Sequence, residues 1–347
     1  MSTTSVTHLP TDSQPTEPGT KVTRVTPMRR LSHIAERFGL VLLLIAITAF
    51  FALWPVTSST FPTTANMRNI LANESILVIA ALAALVPLVA ERFDLSVGAI
   101  VMVSSITTAK VVTQLGLPLA IGVLAGMLTG LVIGLVNGVI IAYFNASSLV
   151  ITSGMSTLLA GVGSYLAGDT TLLGIPDSLA AFGNQYWLGV ARPVWLLIVV
   201  ALAVAYMLGL TAFGRTLLSI GSNESAARLV GLPVARSVMM AFALSGALAG
   251  LAGVLLLART GSAAAGVGAG YTLPALAAIF LGSTTIKLGR FTVAGTLVGV
   301  FFVAISINGL TLAGADDWVE PFFNGAAVVI AVAASAILAK RRLGGTR

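Results

Sequence analysis

The chain has no cysteine and only two histidines, His8 and His33, in 347 residues. The first absence excludes a disulfide framework, a thiolate nucleophile and a zinc-thiolate site. Both histidines precede the first apolar run, which starts at Phe38, so a histidine-based catalyst or metal site inside an apolar segment is excluded as well. Charge is also scarce. Asp, Glu, Lys and Arg make up 9% of the residues against 57% apolar ones, where a soluble domain carries about 25% charge. With a mean hydropathy of +1.00, that balance excludes a water-facing globule. No Gly-x-x-x-x-Gly-Lys-Ser/Thr phosphate loop occurs either, so the chain lacks the backbone cradle used by that class of ATPase. With no nucleophile-base pair and no metal cluster in view, it does not read as an enzyme, and no cofactor or metal of its own is expected.

What the chain has instead is a series of apolar runs. Ten of them lie near 38–54, 70–90, 95–115, 117–142, 148–168, 194–210, 237–257, 272–286, 291–313 and 319–339, and about 20 apolar residues suffice for one membrane crossing. Residues 2–28 hold 15 Ser, Thr or Pro, too little apolar surface to offset the entropy of ordering. Residues 1–30 are therefore read as a disordered cytoplasmic tail, and 31–347 as a single transmembrane domain. A cleaved signal is the competing reading, but the first run ends in Phe50-Phe51-Ala52-Leu53-Trp54 without a small-residue cleavage pattern, so the first helix is expected to be retained.

The net charge of +7 does not imply a nucleic-acid partner, because the basic residues sit between apolar runs rather than on one folded face. They report orientation instead. With a cytoplasmic N-terminus and ten crossings, 15 Lys and Arg fall inside, in the tail, at Arg92, at Arg215, Arg228 and Arg236, at Lys287 and Arg290, and at the C-terminus. Four fall outside: Arg68, Lys110, Arg192 and Arg259. The positive-inside rule thus favours an all-α polytopic membrane protein of about ten transmembrane helices with both termini cytoplasmic. Eight crossings with two re-entrant segments are the alternative. The third run, threaded by Ser104, Ser105, Thr107, Thr108 and Lys110, and the short eighth are the weak ones, and such interrupted segments in two halves point to broken helices lining a pathway. Gly122, Gly126, Gly130 and Gly134 lead to Asn137-Gly138, and Gly295 and Gly299 lead to Asn308-Gly309. These stripes predict close helix contacts and hint at an internal duplication.

The connection 211–236 carries its own helix signals. Ser222 or Asn223 caps, Glu224 sets a carboxylate at the positive end, Ala226, Ala227 and Arg228 continue, Gly231 ends the helix and Pro233 prevents resumption. Two turns are not stable alone in water, so this helix rests on its own subunit or docks on a soluble partner. Ionisable residues at membrane depth are functional candidates. Glu74 is either an exposed helix start or a cavity residue. Asp94 is either a helix cap assisted by Ser96 or a gate, Lys110 is expected to snorkel outward, and Asn137 and Asn308 are either interhelical bonds or pathway residues.

Phe93-Asp94-Leu95-Ser96-Val97-Gly98 resembles the Asp-Leu-Ser-Val-Gly signature of permease subunits of the ribose, xylose and arabinose class of ABC importers. The stretches Phe213–Thr216, Gly221–Arg228, Ser245–Gly253, Gly270–Leu273, Leu281–Thr285 and Asn308–Leu310 are similar to the same family, and the resemblance runs from about Phe61 to the C-terminus. It implies a permease paired with a second copy or a paralogue, two cytoplasmic ABC ATPases that use ATP and Mg, and an extracytoplasmic sugar-binding protein, with the chain in a bacterial inner membrane. It further implies that residues 221–232 form the coupling helix, with Ser222, Asn223, Glu224, Ala226, Ala227, Arg228 and Gly231 as its contacts. The departures are Glu91-Arg92-Phe93, where relatives commonly carry Gly-Gly-Ile, and Leu288-Gly289-Arg290-Phe291, which keeps only the central Gly-Arg of a Gly-Gly-Arg-Gly element. The resulting expectation is a binding-protein-dependent, ATP-driven importer of a monosaccharide or polyol working by alternating access. The alternatives are an ABC permease for a nucleoside or branched-chain amino acid, and an ion-coupled secondary transporter, which would leave the docking helix unexplained.

Overall fold

A computed structural model describes residues 27–168, 170–286 and 289–344. Of the tail expected at residues 1–30, residues 1–26 lie outside the described residues, as does the basic residue Lys287, and residues 27–30 form the start of a helix instead. The helices in chain order are α1 (Pro27–Leu53), α2 (Thr64–Leu88), α3 (Val97–Thr113), α4 (Leu119–Tyr143), α5 (Ser148–Ala167), α6 (Asp177–Asn184), α7 (Arg192–Leu210), α8 (Ala212–Ser222), α9 (Glu224–Leu229), α10 (Val234–Thr260), α11 (Thr272–Gly282), α12 (Val293–Leu312) and α13 (Val319–Gly344). A small antiparallel hairpin, β1 (Tyr186–Trp187) and β2 (Val190–Ala191), precedes α7. Among the described residues, α2, α4, α5, α7, α10 and α12 are long and apolar enough to cross a membrane. Shorter apolar helical stretches lie at Phe38–Leu53, Val97–Thr113, Ala269–Gly282 and Val319–Ile330.

The centre is made of helices that are apolar all round, the pattern of a helix surrounded by others. Every residue of α2 from Ser75 to Leu88 is buried, and α10 packs against α2, α3 and α4. The flanking helices turn apolar side chains outward: Leu124, Leu128 and Val132 of α4 and Val199, Leu202 and Tyr206 of α7 are all more than half exposed. In water such a surface would drive aggregation; against lipid it is the matching face. The glycine stripe of α4 has the packing role expected from the sequence. Side chains on Gly130 or Gly134 would collide with the α10 backbone at Gly246 and Phe242, and Gly299 meets α11 at Ala278 in the same way.

The third and eighth apolar runs form the two short helices. At 1.5 Å per residue, the 17 residues of α3 reach about 26 Å and the 11 of α11 about 16 Å, against a hydrocarbon core of about 30 Å. Irregular chain completes them, and its backbone groups need partners. Ahead of α3, the amide of Phe93 donates to Ser148 Oγ at 3.2 Å and that of Leu95 to Thr152 Oγ1 at 3.0 Å. Ahead of α11, Ala263 exchanges two backbone bonds with Leu172. The N-terminal turns of the two short helices meet where the Gly98 amide donates to Thr272 Oγ1 at 3.0 Å.

Candidate functional site

The functional candidates fall into three places, which the run of α2 separates. Glu74 lies in its first half and Asp94 and Arg92 just past its end, while α9 packs beside Arg92.

At α9, Asn223 is the N-cap: its side chain accepts from the Ala226 amide at 2.9 Å. Gly231 stops the helix at φ +78°, a left-handed conformation that suits glycine. The Leu232 amide returns to the Ala227 carbonyl and the Gly231 amide to that of Arg228, both at 3.0 Å, the double bond of a Schellman ending. Glu224 pairs with Arg92 at 2.5 Å and with Arg228 at 2.6 Å. Of the two cap candidates, Asn223 caps α9; Ser222 closes an additional helix, α8, its hydroxyl spent on the Leu218 carbonyl. Ala227 is buried against its own chain, because a six-residue helix must lay one face on the bundle to be stable, and it also lines the cavity beside α9. The faces left outward belong to Ser225, Ala226, Arg228, Leu229 and Val230, with Leu229 89% and Val230 75% exposed. The sequence reading named neither of the last two as contacts. A cavity of about 750 Å³ opens beside α9, lined in part by Glu91, Asn223, Ala226, Val230 and Arg290.

Past α2, Asp94, Ser96, Asn137 and Ser245 form one buried cluster. Asp94 Oδ1 accepts from the Ser96 amide at 3.0 Å and from Ser96 Oγ at 2.6 Å, and Oδ2 accepts from Ser245 Oγ at 2.8 Å. Asn137 Nδ2 donates to Ser96 Oγ at 2.9 Å. Asp94 thus fixes the residue on which α3 starts rather than capping α3 itself, whose N-cap is Ser96. Three donors hold the carboxylate where no basic side chain bonds it among the described residues. Ser245, on α10, was not named as a site residue from the sequence; nothing local marks it, since it lies 151 positions from Asp94.

The third place is a cavity of about 490 Å³ between α2, α12, α13 and the irregular chain before α11. Non-helical backbone at membrane depth is tolerated where it lines a cavity, and Gly266 and Gly268 do so here, followed by Gly270 in a single 3-10 turn, Ala269–Tyr271. Glu74 and Asn308 line it together with Asn69, Asn73, Tyr271, Thr311, Glu320 and Asn324. Asn308 also exchanges both amide bonds with Asn66, at 2.9 and 3.2 Å. Arg259 stands behind the lining, its guanidinium held by the side-chain oxygens of Asn69, Asn73 and Asn184. Asp94, Ser96 and Asn137 are not part of this lining. Lys110, expected to snorkel, ends on the Leu166 carbonyl in the last turn of α5 at 2.9 Å, a favourable place for a cation.

Residues 66–332 match the family model described as branched-chain amino acid transport system / permease component. The chain is 36% identical over 303 residues to the probable ABC transporter permease protein YphD of Escherichia coli strain K12, covering 86% of this chain and 90% of that one. It is 33% identical to the ribose import permease protein RbsC of the same strain, over 83% and 91% of the two chains. To the L-arabinose transport system permease protein AraH of that strain it is 32% identical, over 86% and 90%. No solved structure gives a significant match.

Proposed function

The chain belongs to the family of branched-chain amino acid transport system / permease components, and from that premise we propose that it is the membrane-spanning subunit of an ATP-driven importer for a monosaccharide or polyol. It crosses a bacterial inner membrane ten times with both termini cytoplasmic and pairs with a second permease. It takes its solute from an extracytoplasmic binding protein. Two cytoplasmic ABC ATPases hydrolyse ATP with Mg and supply the energy.

The observation that carries this reading is α9. Its N-cap, Schellman ending and buried Ala227 stabilise a very short helix whose outward tip is apolar, Leu229 and Val230. An apolar tip on a polar loop fits a partner that covers it. From α9 the chain offers a short route inward. Glu224 grips Arg92, Asp94 two residues on fixes the start of α3, and Gly98 in the first turn of α3 holds Thr272, next to Tyr271 of the cavity. In this reading ATPase closure moves α9, α9 moves the segment 92–98, and the cavity changes the side to which it opens. The solute is held by cavity residues such as Glu74, Asn308 ties α12 to Asn66 on the cavity wall, and Asp94, Ser96 and Asn137 set the hinge.

The names of RbsC and AraH favour a sugar, whereas the family description favours a branched-chain amino acid. The cavity lining speaks for the sugar, because it contains no Lys or Arg to receive an amino acid's carboxylate. Uptake of labelled pentoses and of leucine into cells carrying this chain, its ATPase and its binding protein tests the proposal. Sugar uptake that stops when ATP is depleted and persists when ion gradients are collapsed is expected. Gradient-driven uptake without the ATPase, or uptake of leucine alone, overturns it.

A further inference from the structure

The hairpin before α7 holds large apolar side chains outward. Tyr186, Trp187 and Leu188 are 51%, 61% and 78% exposed. Leu188 and Gly189 make its two-residue turn, with φ of +52° and +78°. Such a turn favours Asn-Gly or Asp-Gly, and positive φ is uncommon for a bulky residue, yet here a leucine stands at the tip. Behind the tip lies a groove of about 490 Å³ lined by Phe182 of α6, Trp187 of the hairpin, and Arg192, Trp195, Leu196 and Val199 of α7. Its walls are fixed. α6 sits tight on α10, where a side chain on Gly183 would collide with the Ala258 carbonyl. The Trp187 and Trp195 rings lie 5.6 Å apart, and the Trp195 indole nitrogen donates to the Trp187 carbonyl at 3.3 Å. With its polar atom spent, Trp195 is left as an apolar wall.

Arg192 gives this apolar groove a charged end. It forms no ion pair with a described residue, and no Asp or Glu lines the groove. It is also the first residue of α7, where the positive end of the helix disfavours a cation, so an anion is the missing complement. The 19 residues of α7 span about 28 Å, close to a hydrocarbon core of about 30 Å. When that length fills the core, the first turn of α7 stands at headgroup depth, where Trp and Tyr concentrate. Away from the groove the outward face of α7 continues in Val199, Leu202 and Tyr206, the face that matches lipid. Arg68 brings a second cation to the hairpin, its guanidinium carbon 5.0 Å from the centre of the Tyr186 ring. From this we infer that the groove is a binding site for an anionic phospholipid, with the phosphate on Arg192 and an acyl chain against Trp195 and Val199. A zwitterionic phospholipid offers the same phosphate but brings an ammonium group, for which the groove has no carboxylate. A lipid held here steadies α6, whose Asn184 holds Arg259 behind the solute cavity. The site requires only that α7 cross a bilayer and goes beyond the transport reading.

The chain has four tryptophans, which permits a direct test. Trp54→Phe with Trp318→Phe leaves Trp187 and Trp195 as the reporters in the purified full-length chain, reconstituted in phosphatidylcholine vesicles. Their fluorescence is followed as the lipid is replaced by increasing mole fractions of phosphatidylglycerol or phosphatidylcholine brominated high on the acyl chains. Half-maximal quenching is expected at an about fivefold lower mole fraction of brominated phosphatidylglycerol than of brominated phosphatidylcholine, the scale of one arginine at a charged bilayer surface. Arg192→Gln should bring the two half-points together. High salt should narrow the difference without any substitution, which covers the case in which the glutamine variant does not fold. Coinciding half-points without the Arg192 substitution, or a difference that Arg192→Gln or high salt leaves unchanged, overturns the site. So does emission that answers to added extracytoplasmic binding protein and not to lipid, for then the hairpin docks a protein. The assay needs neither the ATPase nor a solute, so failure of the lipid site and failure of the permease reading are told apart by this assay and the uptake assay above.

Discussion

Arg92, four residues past the end of α2, reaches across to α9 and holds Glu224 through Nη2 at 2.5 Å. The two side chains are 25% and 30% exposed, so the pair is only partly screened by solvent. On the same carboxylate, Arg228 bonds the other oxygen at 2.6 Å, and Glu224 is therefore fixed from both sides. This chain has Glu91 at φ +56°, a left-handed conformation that costs a non-glycine residue roughly 1 kcal/mol or more. The strained turn is what delivers Arg92 to α9.

The first prediction concerns that pair. Arg92→Glu should uncouple sugar-stimulated ATP hydrolysis in the assembled transporter by about tenfold, while changing thermal stability by no more than about 1 kcal/mol, the scale of a partly exposed ion pair. Adding Glu224→Arg together with Arg228→Glu, so that the exchanged arginine again has a carboxylate on both sides, should restore coupling. If this triple variant is as uncoupled as the single one, the Arg92–Glu224 contact does not transmit the motion.

Asp94 gives the second. Replacing it with Ala leaves the Ser96 amide, Ser96 Oγ and Ser245 Oγ without their acceptor, at a cost of about 1–3 kcal/mol for each buried group left unsatisfied. The chain should lose thermal stability in detergent and lose transport together. Ser245→Ala, which removes only one donor, should be milder in both. Full transport by Asp94→Ala would show that the start of α3 needs no such anchor.

A third prediction tests the packing of α4 on α10. Gly134→Leu forces a side chain into the α10 backbone at Phe242 and Gly246, and should abolish a monodisperse, folded species. Gly154→Ala, with nothing within 4 Å of the added atom, should be neutral. Equal behaviour of the two on size-exclusion chromatography would contradict the crossing described here.

What was legible in the sequence was local. Asn223, Glu224 and Gly231 declare α9 because capping, dipole and left-handed stop signals act within a few residues. The glycine stripe of α4 declares a contact because its spacing repeats on one face. The partners across that contact were not legible, nor was the Ser245 bond to Asp94, because pairing over 151 positions leaves no periodic mark. The same holds for the cavity. Glu74 and Asn308 could be singled out as polar residues in apolar runs, but Glu320 and Asn324 join them only through the packing of α13, and the long-range partners of Asn66, Asn69 and Asn73 lie on α12 and α10. The burial of Ala227 was missed for a related reason: a helix of six residues is too short for a hydrophobic period to show which side faces in.

The fourth prediction is topological. Cysteines at Ser178 and Ser225, both exposed, should react with an impermeant thiol reagent in intact cells only at Ser178, with Ser225 becoming reactive after the cells are opened. With no native thiol, background labelling is absent. Reaction of both from outside would contradict the ten-crossing arrangement.

The central claim, that α9 docks the chain on its ATPase, is tested most directly at Leu229. Its side chain is 89% exposed and can be made charged without touching the bundle. The measurement is co-purification of the Leu229→Glu chain with the ATPase subunit, with sugar-stimulated ATP hydrolysis of whatever assembles, set against Ser178→Glu as a control. The account predicts that Leu229→Glu stays folded but loses most of the bound ATPase and its stimulated hydrolysis, while the control keeps both. A Leu229→Glu chain that binds the ATPase and stimulates hydrolysis as the unmodified chain does would contradict it.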